Sequence, residues 1–310
     1  MIKTVFITGA NSGLGKDSAR QFALQTGVEK VYLGCRNEAK ALAAKAELEQ
    51  VTGKQIFEIV LIDVSNLDSV HQALTQLPAS IDALVMNAGG IGGKEPNAIT
   101  PYGVNYLFSV NVLGHVVLLE ELLKADRINE VAIYAGSEAA RGVKKMKIKR
   151  PVLKSGSVKE FQSIMDGSFY TKFDGMEAYG YTKLIAALWM SSLAREYPKV
   201  RLVTVSPGGT SGTAAMNDLP PFMRFMFKTL GTTIMPLMGM MHKLEVGAKR
   251  YVDVVMDPNF KSGLFYASKE PVTTGPLVDQ TPIYNVFANR EAQDNARQAI
   301  HRYLERVPAT

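Results

Sequence analysis

The chain opens with an apolar, β-branched run, Thr4-Val5-Phe6-Ile7, that stops at Thr8-Gly9. It continues Ala10-Asn11-Ser12-Gly13-Leu14-Gly15. No other feature restricts the fold as much. A buried strand that ends in spaced glycines and then opens a helix belongs in a parallel sheet. Gly9 lets the chain turn sharply at the strand end. Gly13, without a Cβ, lets backbone approach a bound group, and Gly15 lets the next helix sit close to the sheet. The start of that helix offers free N–H groups and the positive end of its dipole to a phosphate. Spaced glycines also occur in plain turns, so the weight comes from the strand before them and the helix after.

The first two-thirds of the 310 residues keep that rhythm. Strands are expected at 4–8, 30–34, 56–62, 83–86, 131–135 and 201–205. Helices are expected at 14–25, 39–49, 70–77, 104–123 and 178–196. Continuous apolar strands alternating with amphipathic helices imply a doubly wound α/β domain whose ligands bind at the carboxyl ends of the strands. Two stretches break the alternation. Residues 138–177 are polar and carry Arg141, Lys144, Lys145, Lys147, Lys149, Arg150 and Lys154. Residues 214–243 carry Met216, Met223, Met226, Met235, Met238, Met240 and Met241 with Phe222, Phe225 and Phe227, broken by Pro220, Pro221 and Pro236. A charged amphipathic helix is expected over 284–306. With no internal repeat or linker, the reading is one domain over 1–310 with two inserted segments.

Composition narrows the classes. Hydrophobic residues are 46% and charged residues 21%, as in an ordinary globular protein. A net charge of +6 is too modest to point to nucleic acid. Cys35 is the only cysteine, which fits a reducing, cytoplasmic compartment. No signal peptide or run of about 18 apolar residues is evident, so a spanning helix is not expected. His115 and His242 lack metal-ligand spacing, so no metal is expected. A hydrolase elbow of the Gly-x-Ser-x-Gly type is absent.

Strand ends carry the remaining candidates. The second strand ends Cys35-Arg36-Asn37, where an acidic residue would grip a ribose 2′-hydroxyl. Arg36 can instead clasp a 2′-phosphate, which favours NADP(H) over NAD(H); its plainer role is a solvated loop charge. Asp63-Val64 follows the third strand, placing a side chain for an adenine amino group. Asn87-Ala88-Gly89 follows the fourth, a small-residue turn with room for a ribose. Far behind them, Tyr179-Gly180-Tyr181-Thr182-Lys183 sets a tyrosine one helical turn from a lysine on the same face. A lysine there can draw the tyrosine pKa down from about 10. Tyr181 faces elsewhere and is read as pocket lining or packing.

Together these residues resemble the short-chain dehydrogenase/reductase family over roughly residues 2–270. The resemblance rests on Thr8-Gly9-x3-Gly13-x-Gly15, Asn87-Ala88-Gly89, Asn111, Ser137, Tyr179-x3-Lys183 and Pro207-Gly208. Within that family the likeness is to the retinol dehydrogenase and light-dependent protochlorophyllide reductase group, through Cys35-Arg36-Asn37, Asn111-Val112-Leu113-Gly114-His115 and the long insert before Tyr179. One departure is Gly209, where the protochlorophyllide enzymes are expected to carry cysteine after Pro-Gly.

The resemblance implies a Rossmann-type fold and specific roles. Tyr179 would give the proton and Lys183 would lower its pKa and reach the nicotinamide ribose. Ser137 would bond the substrate oxygen, and Asn111 would hold a water linking Lys183 to solvent. The loop Thr8, Gly9, Asn11, Ser12, Gly13, Leu14 and Gly15, with Arg36, Asn37, Asp63, Val64, Asn87, Ala88, Gly89, Pro207 and Gly208, would hold NADP(H). Thr210 or Thr213 would hold the carboxamide. The methionine-rich segment is read as a lid over a bulky apolar substrate, since methionine surfaces adapt to varied apolar ligands. The expected activity is hydride transfer to or from a carbonyl or alcohol. A light-dependent C=C reductase and a non-catalytic NADP(H) sensor remain alternatives. A monomer or weak oligomer is expected, because the insert could cover the face of the catalytic helix through which many relatives pair. The basic stretch 141–154 leaves peripheral membrane contact open.

Overall fold

A computed structural model describes residues 1–211 and 241–306. Eight strands form one sheet in the order β3-β2-β1-β4-β5-β6-β7-β8. They are β1 (Thr4–Thr8), β2 (Lys30–Cys35), β3 (Phe57–Leu61), β4 (Ile81–Met86), β5 (Ile128–Ala135), β6 (Arg201–Val205), β7 (Phe265–Ser268) and β8 (Leu277–Asp279). All neighbours pair in parallel except β7 and β8, which form an antiparallel edge. The order reverses between β1 and β4, so the crevice beyond their carboxyl ends is the switch point where such sheets bind ligands.

Alternate side chains of each strand feed opposite cores. Val5 and Ile7 face α1 (Gly13–Ala23), α2 (Glu38–Thr52) and α8 (Leu244–Met256), whereas Phe6 faces the other layer. That layer holds α3 (Leu67–Gln76), α7 (Gly175–Glu196) and α9 (Arg290–Leu304). It also holds a long helix in which α4 (Tyr106–Phe108) passes through a π turn (Ser109–Leu113) into α5 (Gly114–Lys124). The stretch Tyr106–Lys124 is apolar and long enough to cross a membrane, but most of it is buried within the fold and it serves as a core helix.

The polar insert is more ordered than its composition implies. It contains α6 (Val158–Asp166), capped by Ser157 and burying Phe161, Ile164 and Met165. Phe169, Tyr170, Phe173 and Tyr181 interlock edge to face, with centroids 5.1–6.2 Å apart. The Tyr181 hydroxyl donates to Val152 O at 3.0 Å, and the side chain is buried. The last helix starts at Arg290 rather than at Tyr284, because Asn285–Ala288 form a 3₁₀ turn and Asn289 supplies the cap.

Candidate active site

α1 stands apart from most other helices. Asn37, Asn66, Asn105, Ser157, Asp174 and Asn289 each cap a helix with a side-chain oxygen. Ser12 makes no such bond, and the first turn of α1 holds no acidic residue. The N–H groups and dipole of that turn are therefore left for an anion. Gly9 (φ +68°) and Gly13 (φ +54°) take the left-handed conformation that favours glycine. A Cβ on Gly15 would lie 2.3 Å from Gly9 O and 2.6 Å from Asn87 Nδ2. Gly15 thus serves the loop itself as much as the helix–sheet contact expected of it.

Thr8 ties this loop to the turn after β4. Its hydroxyl accepts from Asn87 N at 2.9 Å and Ala88 N at 3.0 Å, and Asn87 Nδ2 donates to Thr8 O at 2.9 Å. The Asn111 side chain closes the same turn: its Oδ1 accepts from Gly90 N at 3.2 Å and its Nδ2 donates to Gly90 O at 2.8 Å. Gly89 (φ +147°) must lack a Cβ, which would stand 2.5 Å from Asn111 Oδ1. A backbone cradle this tightly held fits the adenosine and pyrophosphate of a dinucleotide.

Other expected cofactor residues have local duties. Asn37 caps α2, and Asp63 Oδ1 accepts from Ser65 N and Oγ at 2.9 and 2.6 Å. Leu14 packs against the core beside α1, and Val64 O lies 2.1 Å from where a Cβ on Gly114 would be. Arg36 is exposed, and no described residue pairs with it. Pro207 O accepts from His242 Nε2 at 2.7 Å, and the Thr210 hydroxyl donates to Gly208 O at 3.1 Å. Gly208 (φ +79°) is crowded by Thr273 O and the Arg250 guanidinium. Thr213 and nearly all of the expected lid, 214–243, lie outside the described residues. Of its end, Met241 is buried, and His242 N donates to Gly209 O at 2.8 Å.

Tyr179 and Lys183 meet as their spacing implies, below the carboxyl end of β5. Lys183 Nζ lies 5.5 Å from the centre of the Tyr179 ring. Tyr179 is partly exposed, whereas Lys183 is only 4% exposed. The electrostatics differ from expectation. Burial pushes the Tyr179 hydroxyl up to about 12; hydrogen bonding from Ser137 opposes this, and the Glu138 charge adds to it. Burial also pulls the Lys183 amine down to about 7. The lysine therefore does not draw the tyrosine below its ordinary value here. Desolvation dominates at both groups, and Nζ bonds Ala135 O at 2.9 Å and Tyr134 Oη at 3.2 Å. A neutral tyrosine beside Ser137 is equipped to donate a proton, and an ammonium beneath it to stabilise the tyrosinate left behind.

Ser137 also caps the next turn, accepting from Ala139 N at 3.2 Å. Beneath it runs a buried ionic cluster that no motif announces. Glu138 accepts from Ser206 Oγ at 2.5 Å and Ser268 N at 3.2 Å, and Arg250 Nη1 lies 3.7 Å from its carboxylate. Arg250 reaches Gly275 O at 2.7 Å, and Arg141 bonds Ser268 O at 2.9 Å and pairs with Glu270 at 3.5 Å. Only the burial of acidic and basic residues beside Ser137 could have flagged this cluster, and burial is not visible in the chain. Among the described residues no group of histidine, cysteine and carboxylates could hold a metal ion.

Known proteins resemble this chain in sequence and fold. A family profile for short chain dehydrogenases matches residues 3–146. Protochlorophyllide reductase B of Oryza sativa subsp. japonica is 30% identical over 85% of this chain and 69% of its own length. Protochlorophyllide reductase of Avena sativa is 29% identical over 85% of this chain and 88% of its own. Among solved structures, salutaridine reductase from Papaver somniferum superposes with a TM-score of 0.62 at 17% identity, over 86% of this chain and all of that one, which shows a common fold. The chain belongs to the short-chain dehydrogenase/reductase family of oxidoreductases.

Proposed function

We propose that this protein is an NADP(H)-dependent oxidoreductase that moves a hydride between nicotinamide and a carbonyl or alcohol carbon of a bulky hydrophobic substrate. The observation that carries the reading is the partly open, neutral Tyr179 flanked by Ser137 with the Lys183 amine below it. When bound, the nicotinamide supplies or accepts the hydride. Tyr179 passes its proton to the substrate oxygen, Ser137 holds that oxygen, and Lys183 stabilises the tyrosinate. Asn111 acts through its grip on the turn at Gly89–Gly90. Arg36, exposed and unpaired among the described residues, supports a 2′-phosphate, hence NADP(H). The methionine- and phenylalanine-rich sequence of 214–243 supports a large apolar substrate. Cover of α7 by α9, through Ser192 Oγ to Asp294 Oδ1 at 2.6 Å, and by the insert, through Tyr181 to Val152 and Phe169, supports a monomer or weak oligomer.

Reduction of a C=C bond is the second reading, favoured by relatives named as protochlorophyllide reductases. Gly209 at the position expected to hold cysteine counts against it. NADPH oxidation across apolar aldehydes and ketones, in darkness and in light, separates the two. Dark turnover of carbonyls supports the first, turnover confined to light and a tetrapyrrole supports the second, and none with either overturns both.

A further inference from the structure

Tyr134 is not among the residues expected to act, yet the Lys183 amine bonds to it. We propose that Tyr134 is a positioning residue that fixes the Lys183 ammonium under Tyr179 by a direct protein link to Asn111. The inference rests on the reading of Tyr179 and Lys183 given under Proposed function.

The geometry is a closed chain of bonds. Tyr134 lies in β5, fully buried. Its hydroxyl accepts from Lys183 Nζ at 3.2 Å and donates to the Asn111 backbone oxygen at 3.0 Å. A phenol has one proton to give, so both roles are filled and their direction is fixed. The Asn111 oxygen is free for this because it sits in the π turn Ser109–Leu113, where helical bonding is displaced. It also accepts from His115 Nδ1 at 2.9 Å. A carbonyl only accepts, so His115 carries its proton on Nδ1, and its Nε2 accepts from the Thr8 hydroxyl at 3.0 Å. Lys183 is thereby tied through Tyr134, Asn111 and His115 to Thr8, the residue that holds the turn at Asn87-Ala88. Ala135 O takes a second N–H of the lysine. The third is claimed by no described residue and is left for the reacting face.

Packing alone does not ask for the hydroxyl. The Tyr134 ring meets Trp189 and His115 edge to face at 6.3 and 6.0 Å, contacts a phenylalanine would keep. The titratable groups facing the pair are Lys183 and Tyr179 from α7, His115 from α5 and Tyr251 from α8, with Glu138 beyond Tyr179. His115 is held neutral by burial at about 4, and burial raises Tyr134, Tyr179 and Tyr251. Of these, Lys183 is the group that titrates near neutrality.

The test is Tyr134→Phe, with 3-fluorotyrosine at the same position as a milder variant that keeps shape and hydroxyl. Lysine labelled with ¹³C at Cε is titrated by NMR in the cofactor-free protein, and kcat is measured against pH. Losing an acceptor disfavours the charged amine, so in Tyr134→Phe Lys183 should titrate about one unit lower, a tenfold change. The alkaline fall of carbonyl reduction should move down with it and kcat near neutrality should drop about fivefold, with NADPH affinity little changed. The fluorinated variant should fall between. An unmoved Lys183 titration, or a pH profile matching the parent's, would overturn the role. If the parent reduces no carbonyl, the Proposed function fails, while the titration still judges the hold of Tyr134 on Lys183.

Discussion

The two halves of the site are built from different material. The nucleotide half, at the ends of β1 and β4, is mostly backbone: Gly9, Gly13, Gly15 and Gly89, an uncapped helix start, and Thr8 and Asn111 holding two turns together. The half around Ser137 and Tyr179 is side chains buried against side chains: Lys183 on Tyr134, Glu138 with Arg250, Arg141 with Glu270. Backbone sites tolerate no added atoms where turns close on each other, as at Gly15 and Gly89, but need few particular groups. Side-chain sites depend on single polar atoms and on the charge state of their neighbours. A substitution should therefore fail differently in each half.

The sharpest break is Tyr179→Phe. It removes one oxygen from the side-chain half and leaves the cradle intact. We expect kcat to fall about 10³-fold or more, with NADPH affinity changed less than about threefold by fluorescence titration. A variant within a few-fold of the parent would mean another acid serves and would erase the contrast between the halves.

Gly15→Ala should hurt the backbone half in the opposite way. The new Cβ would meet Gly9 O, a backbone atom that cannot swing aside. Unfolding in urea should show a loss of about 2–3 kcal/mol, with nucleotide binding weakened along with it. Gly90→Ala is the control, since a Cβ there meets nothing within 4 Å. Its stability should stay within about 0.5 kcal/mol of the parent. Equal losses at both glycines would show that the cradle is not the tight fit described.

Arg36→Asp probes the basic side chain assigned to the backbone half. NADPH affinity should fall about 10- to 100-fold while NADH binding changes little or improves. Paired titrations of the two cofactors measure it. Unchanged preference would return Arg36 to the status of a solvated charge.

The difference in material also decided what the sequence could tell. β1 and β6 fall at their expected limits, 4–8 and 201–205, because each is a short apolar run between turn residues. β5 begins at Ile128, three residues before its expected start, since the polar pair Asn129-Glu130 masks it. α3 begins at Leu67 because Asn66 caps it, a local signal that could have been read. The glycines and the Tyr179-x3-Lys183 pair were visible as spacing. Tyr134 and the Glu138–Arg250 cluster were not. Their partners lie 49 residues away for Tyr134 and Lys183 and 130 residues away for Glu138 and Ser268; packing of α7 on the sheet brings the first pair together, and the parallel stacking of β5, β6 and β7 the second. α6, α8 and the edge strands β7 and β8 went unread for a related reason: they are short or polar on one side and gain definition from the sheet they complete.

The smallest expected effect concerns stability, and its sign separates the halves once more. In the backbone half a substitution that damages the site also damages the fold. At Lys183 the two should part. Burial lowers its pKa from 10.5 to about 7. Below about pH 7 the folded protein must hold a charged amine away from water, so the burial cost is complete. Between about 7 and 10.5 the folded state sheds the proton and the unfolded chain keeps it, so stability rises with pH. Above that range neither state is charged and this cost is gone. Lys183→Met removes the charge but also the bonds to Tyr134 and Ala135, which offsets part of the gain. The variant should be inactive yet more stable by about 1–2 kcal/mol near pH 6, a few degrees in Tm, with the gap closing toward pH 10. Tm measured across that range tests it. A variant less stable than the parent at every pH would mean that the bonds of Lys183 outweigh its desolvation and that the amine is a structural anchor rather than a strained functional group.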